Sequence, residues 1–98
     1  MKKLALIALL GAVALAMTCQ EPGPTPEQQL QAIFDESWDF QMREFPTYAT
    51  AVGIHDYNDK LTSMTLEDIE RRAQYWQEIL QRLEAIDREA LGTDAQIN

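Results

Sequence analysis

The residues with the clearest chemical potential in this chain lie in the stretch GIHDYNDKL, residues 53 to 61, where the only histidine, His55, is close to Asp56, Asn58 and Asp59. A histidine beside carboxylates can serve as a general base or a metal ligand. The spacing favours neither. A zinc helix of the HExxH type needs a second histidine four residues on and a glutamate next to the first, whereas here Asp59 and Asp56 hold those places. An EF-hand loop counted from Asp56 finds Asn58 at its third position but Lys60 at its fifth and no glycine at its sixth. Polar turn residues commonly satisfy local backbone. The expected role of His55 is therefore to hydrogen-bond Asp56, Asp59 or a backbone carbonyl, with His55 and Asp56 kept as candidate cleft-lining residues.

Other constellations are weaker. Ser37 and Ser63 lack the GxSxG setting of a nucleophile elbow. Carboxylates are plentiful, but acids at helical spacing are usually a solvated surface and give no specific glycosidase signal. No catalytic, cofactor-binding or metal-ligating residue is assigned. The aromatic residues Trp38, Tyr48, Tyr57, Tyr75 and Trp76 are expected to pack in or beside a core rather than to form a sugar- or peptide-binding platform, because rings carry large burial.

Residues 1–18, MKKLALIALLGAVALAMT, have the layout of a secretory signal. Lys2 and Lys3 form the basic start. The uncharged run from Leu4 to Met17 is shorter than the roughly 20 residues that cross a bilayer as a helix. Cys19 follows directly and is the only cysteine, so it has no internal disulfide partner. LAMTC resembles the lipobox of bacterial lipoproteins, in which the cysteine carries the lipid, although Ala16 and Thr18 depart from the usual letters and ALA at 14–16 offers an ordinary cleavage site. Lipid attachment at Cys19 would hold the protein to a membrane at the bacterial envelope; ordinary cleavage would leave it secreted or periplasmic. Residues 19–25 are rich in proline and glycine and are expected to form a solvated tether.

The whole chain of 98 residues has a formal net charge of −8. Beyond the signal, six basic residues stand against sixteen acidic ones. Such a surface repels phosphate backbones, so nucleic acid is excluded as a partner.

The elements that must position these residues are helical. TPEQ at 25–28 is a capping box with Pro26 at the first helical position. Apolar residues then recur at Leu30, Ile33, Phe34, Trp38, Met42 and Phe45, and Pro46 marks a break. PTYATAV fits a short second helix with Gly53 at its C-terminal cap. A longer helix is expected from Thr65 to Gly92, with apolar residues from Leu66 to Ala90 at steps of three and four, about 39 Å long. Glu67 with Arg71, Asp68 with Arg72, and Glu78 with Arg82 are spaced as surface pairs. TDAQ at 93–96 is a further capping-box pattern.

The expected fold is all-α: two long amphipathic helices joined by a short helix and a polar loop. Residues 26–98 are expected to be the N-terminal part of a larger helical fold, because two long apolar stripes have little of their own chain to pack against. The covering would come from the remainder of the chain or from a protein partner.

The stretches FDESWDFQMREFPTYATAVGIHDYNDKL and LEDIERRAQYWQEILQRLEAID resemble the opening of bacterial proteins of the domain of unknown function (DUF) family 885. The resemblance runs from about Ile33 to Asn98, and PTYATAVGIHDYNDKL is its most specific segment. It implies an exported or lipid-anchored, largely helical parent, similar to zinc metallopeptidases with a HExxH-type helix. Any such zinc site would lie beyond Asn98. The alternative is a small lipid-anchored helical adaptor that binds a protein at the cell envelope.

Overall fold

The computed structural model describes residues 21–98 and is all-α. It contains α1 (Pro26–Glu44), α2 (Pro46–Ala51), α3 (Leu66–Glu84), a 3-10 turn (Arg88–Ala90) and α4 (Thr93–Ile97). The signal segment and Cys19 lie outside the described residues.

Helix α1 starts where the sequence indicates. Thr25 accepts from the Gln28 amide at 3.2 Å, and the Gln28 side chain accepts from the Thr25 amide at 2.9 Å. The reciprocal pair satisfies two of the amides that every helix start leaves without a partner. At the other end Phe45 takes φ −125° and ψ 69°. Proline disfavours a helical conformation at the residue before it, so Pro46 ends α1 and opens α2. Gly53, just past α2, has φ +90°, a conformation glycine adopts without a Cβ clash.

Helices α1 and α3 form an antiparallel pair. Glu36 meets Arg82, Phe40 meets Tyr75 and Trp76, and Glu44 meets Arg71 and Arg72, so rising numbers on α1 face falling numbers on α3. The Gly92 amide extends the register by donating to Glu27 Oε1 at 3.0 Å. The α1 side of the seam runs through Leu30, Ile33, Ser37, Phe40 and Glu44, and the α3 side through Arg72, Tyr75, Ile79 and Leu83. The buried apolar residues are few: Leu30, Ile33, Phe40, Met42, Ala49 and Ile79.

The structure departs from four expectations. First, the apolar residues of α1 do not form one face. Phe40, absent from the expected stripe, is buried and stacked on Tyr75 with ring centroids 3.5 Å apart. Phe34 and Trp38 are exposed instead, as are Tyr48 on α2 and Trp76 on α3, so these rings do not fill a core. Second, α3 ends at Glu84 rather than running to Gly92. Asp87 accepts from the Glu89 amide at 3.0 Å and caps the 3-10 turn; a short acidic side chain that bonds nearby backbone competes with the helix.

Third, the arginines do not pair along their own helix in the expected way. Arg71 and Arg72 reach Glu44, and Arg82 reaches Glu36. A pair across the seam can form only because the helices lie side by side, a fact absent from one-helix spacing. Fourth, α4 is capped by Gly92, with Thr93 already inside the helix and no side-chain cap bond.

Candidate functional site

Two polar groups converge in the described residues, one around His55 and one around Glu44. The His55 corner lies in the turns that follow α2. The Asn58 amide donates to the His55 carbonyl at 3.3 Å, and the Asn58 side chain lies 3.2 Å from His55 Nδ1. The Thr50 hydroxyl donates to Asn58 Oδ1 at 2.7 Å, tying the turn back to α2. Asn58, rather than Asp56, Asp59 or a backbone carbonyl, is thus the partner of the histidine. His55 and Asp56 are both exposed. Among the described residues the His55 ring is held by the Asn58 carboxamide and by no carboxylate hydrogen bond, which fixes the direction of one ring nitrogen.

The Glu44 group is the more densely bonded of the two. Both Glu44 oxygens accept from Arg71, at 2.8 and 2.7 Å, and Oε2 also accepts from Arg72 Nε at 2.8 Å. Arg72 is buried at 8 % exposure, donates a second time to the Ser63 carbonyl, and lies over the Phe45 ring at 5.2 Å. Its positive charge is thereby compensated on three sides, which a buried guanidinium requires. Arg71 continues to Asp68 at 3.0 Å, and Asp68 also accepts from the Ser63 and Thr65 hydroxyls.

The electrostatic consequence is that both carboxylates are held ionised. The hydrogen bond from Arg71 lowers the Glu44 pKa, opposed by burial and reinforced by Arg72. The Ser63 and Thr65 hydroxyls, then Arg71, hold Asp68 well below the usual carboxylate range. Bonds to Glu44 and Asp68 raise the pKa of Arg71. A carboxylate locked in its charged form neither gives nor takes a proton near neutrality. The group therefore works as a clasp: it fastens the C-terminal end of α1 to the start of α3 and closes the loop between α2 and α3 through Ser63.

No three His, Cys, Asp or Glu side chains gather to hold a metal ion among the described residues. Nor is any described helix long and apolar enough to cross a membrane. Two shallow grooves flank the seam. One of about 310 Å³ is lined by Pro24, Gln29, Ile33, Arg82 and Ile86; the other, of about 260 Å³, by Leu30, Leu83, Ile86, Leu91 and Gln96.

One side of the helix pair is apolar at its surface. Phe34, Trp38, Trp76 and Leu80 are 38, 45, 40 and 55 % exposed. Each directly follows a seam residue: Ile33, Ser37, Tyr75 and Ile79. A helix turns by about 100° per residue, and two antiparallel helices viewed from one end turn in opposite senses. Residues one step past the seam on each helix therefore emerge on the same side of the pair. The four side chains form one strip, which the sequence reading dispersed into the core. The signal was present as a second apolar line on α1 and α3, offset from the first by one residue.

Compared with protein-family models, curated proteins and solved structures, the chain matches none of them.

Proposed function

We propose that residues 26–98 are the helical N-terminal part of an exported, metallopeptidase-like hydrolase of the DUF 885 type, whose catalytic zinc is held by residues beyond Asn98. The observation that carries this reading is the exposed strip of Phe34, Trp38, Trp76 and Leu80 on an otherwise well-capped helix pair. Soluble proteins rarely leave contiguous aromatic surface without a partner. The resemblance of PTYATAVGIHDYNDKL to that family supplies the kind of partner: the catalytic part of the same protein.

The residues present do not themselves fit a zinc centre, since one histidine has Asp59 rather than a second histidine four residues on. In this reading the chain's own contribution is structural. The Glu44 clasp fixes the angle of the pair, and the turn carrying His55 and Asp56 faces the catalytic cleft. Cys19 carries a lipid that holds the protein to the envelope membrane.

The exposed strip also suits a small envelope adaptor that binds a separate protein. The coding sequence decides between the two. A reading frame that continues past Asn98 into a HExxH motif, with zinc in the purified full-length product, supports the hydrolase. A stop codon after Asn98 rules it out in favour of the adaptor. Metabolic labelling with a fatty acid tests Cys19 separately: the wild type takes up label and Cys19→Ser does not.

A further inference from the structure

We infer that the strip of Phe34, Trp38, Trp76 and Leu80 receives an amphipathic α-helix whose apolar side is flanked by lysine or arginine. The choice of occupant comes from how charge is divided between the two sides of the helix pair. Residues that directly precede a seam position emerge on the far side. Glu36, Asp39, Arg43, Arg71, Glu78 and Arg82 all stand there, so acids and arginines are mixed on that side, and Arg71 and Arg82 pair with Glu44 and Glu36. Arg72 lies in the seam itself. No arginine of α1 or α3 is left for the strip side.

That side has acids. Glu84 directly follows the seam residue Leu83, one turn beyond Leu80, and Asp35, two residues past Ile33, stands on the outer rim of α1 at the edge of the strip. Both are exposed, and among the described residues neither has a basic side chain within ion-pair distance. Asp35 accepts only from Gln31, at 2.8 Å. An apolar strip with acidic edges attracts a helix with basic edges and repels a second copy of itself, which would bring like edges together. The proposed function bears only on where the helix comes from, namely the catalytic part; its chemistry follows from the face alone.

The test uses the 98-residue chain and two designed helical peptides without tryptophan or tyrosine, with the same leucine stripe and either lysine or glutamate flanks. Tryptophan emission reports Trp38 and Trp76. The lysine peptide is expected to shift the emission to the blue and to bind at least about tenfold more tightly than the glutamate peptide. The preference should shrink in 1 M salt, where screening acts within about 3 Å. Asp35→Lys with Glu84→Lys should reverse it while far-UV helix content is unchanged. If the pair loses helix, Glu84→Lys alone serves, since a cation suits the end of α3.

Equal affinities, a glutamate preference, or no shift with either peptide would overturn the inference. So would an emission shift on raising the concentration of the chain alone, because a second copy would then be the occupant. None of these results depends on the reading frame, so the inference and the hydrolase reading fail separately.

Discussion

At the scale of single residues, the clasp and the seam make opposite demands on polar groups. Asp68 and Glu44 are held ionised, so the unfolded chain binds their protons more readily than the folded one. Their stabilising effect is complete above the ordinary carboxylate pKa of about 4 and is lost as the pH falls below it. Thermal melts should show the melting temperature declining on acidification in that window, and Asp68→Asn should flatten the decline. Arg72→Ala removes the buried guanidinium and leaves the Ser63 carbonyl and Glu44 each short of a donor; a cost of about 2–3 kcal/mol in urea unfolding is expected, moderated because Arg71 still holds Glu44. The seam contains the converse case. Ser37 Oγ and the Tyr75 hydroxyl are buried without a hydrogen-bond partner. Ser37→Ala should therefore raise stability by about 1 kcal/mol, seen as a rise of roughly 4–8 °C in melting temperature. Tyr75→Phe should not lower it, since the stack on Phe40 is retained.

At the scale of elements, the boundaries set by local chemistry are tight, and one of them can be tested directly. Gly53 ends α2 at φ +90°, and an added Cβ would meet no atom within 4 Å. Gly53→Ala should cost about 1 kcal/mol from backbone strain alone, whereas overpacking would cost more. This kind of boundary was legible in the sequence, as were the Thr25–Gln28 capping box, the break at Pro46 and the start of α3 at Thr65, because each depends on residues within one turn. The end of α3 was not legible: apart from Asp87, residues 85–90 are compatible with a helix, and Asp87 caps the 3-10 turn that follows it. The ion pairs were missed for a different reason. Helical spacing shows which charges can meet on one helix, but Glu44 takes Arg71 and Arg72 from another. The aromatic residues were missed because two apolar lines one residue apart look like a single broad stripe until a partner helix chooses between them. Phe40 faces α3 and is buried; Trp38 does not and is exposed. Of the candidate site, the sequence located the His55 turn but not its partner Asn58, which bonds as readily as the neighbouring acids and is selected by its bond to Thr50.

At the scale of the whole molecule, the described helices bury few large side chains, while four on one side remain half in water. Such a pair gains little from its own seam and would gain more from the proposed occupant of the strip, because burial of apolar area is the main favourable term. Stability should then depend on the occupant in a measurable way. Without one, thermal unfolding of the chain followed by circular dichroism should be broad. With a strip-binding peptide at a hundred times its dissociation constant, linkage requires the folded state to gain about 2.7 kcal/mol, provided the peptide does not bind the unfolded chain. Trp38→Ala separates this from a general effect of peptide on helices. Its side chain is exposed at 45 %, so removing it should leave the melting of the free chain nearly unchanged and abolish most of the gain. A free chain that already melts sharply, with Trp38→Ala lowering its melting temperature by as much as a buried tryptophan would, would mean that the strip is satisfied within the chain.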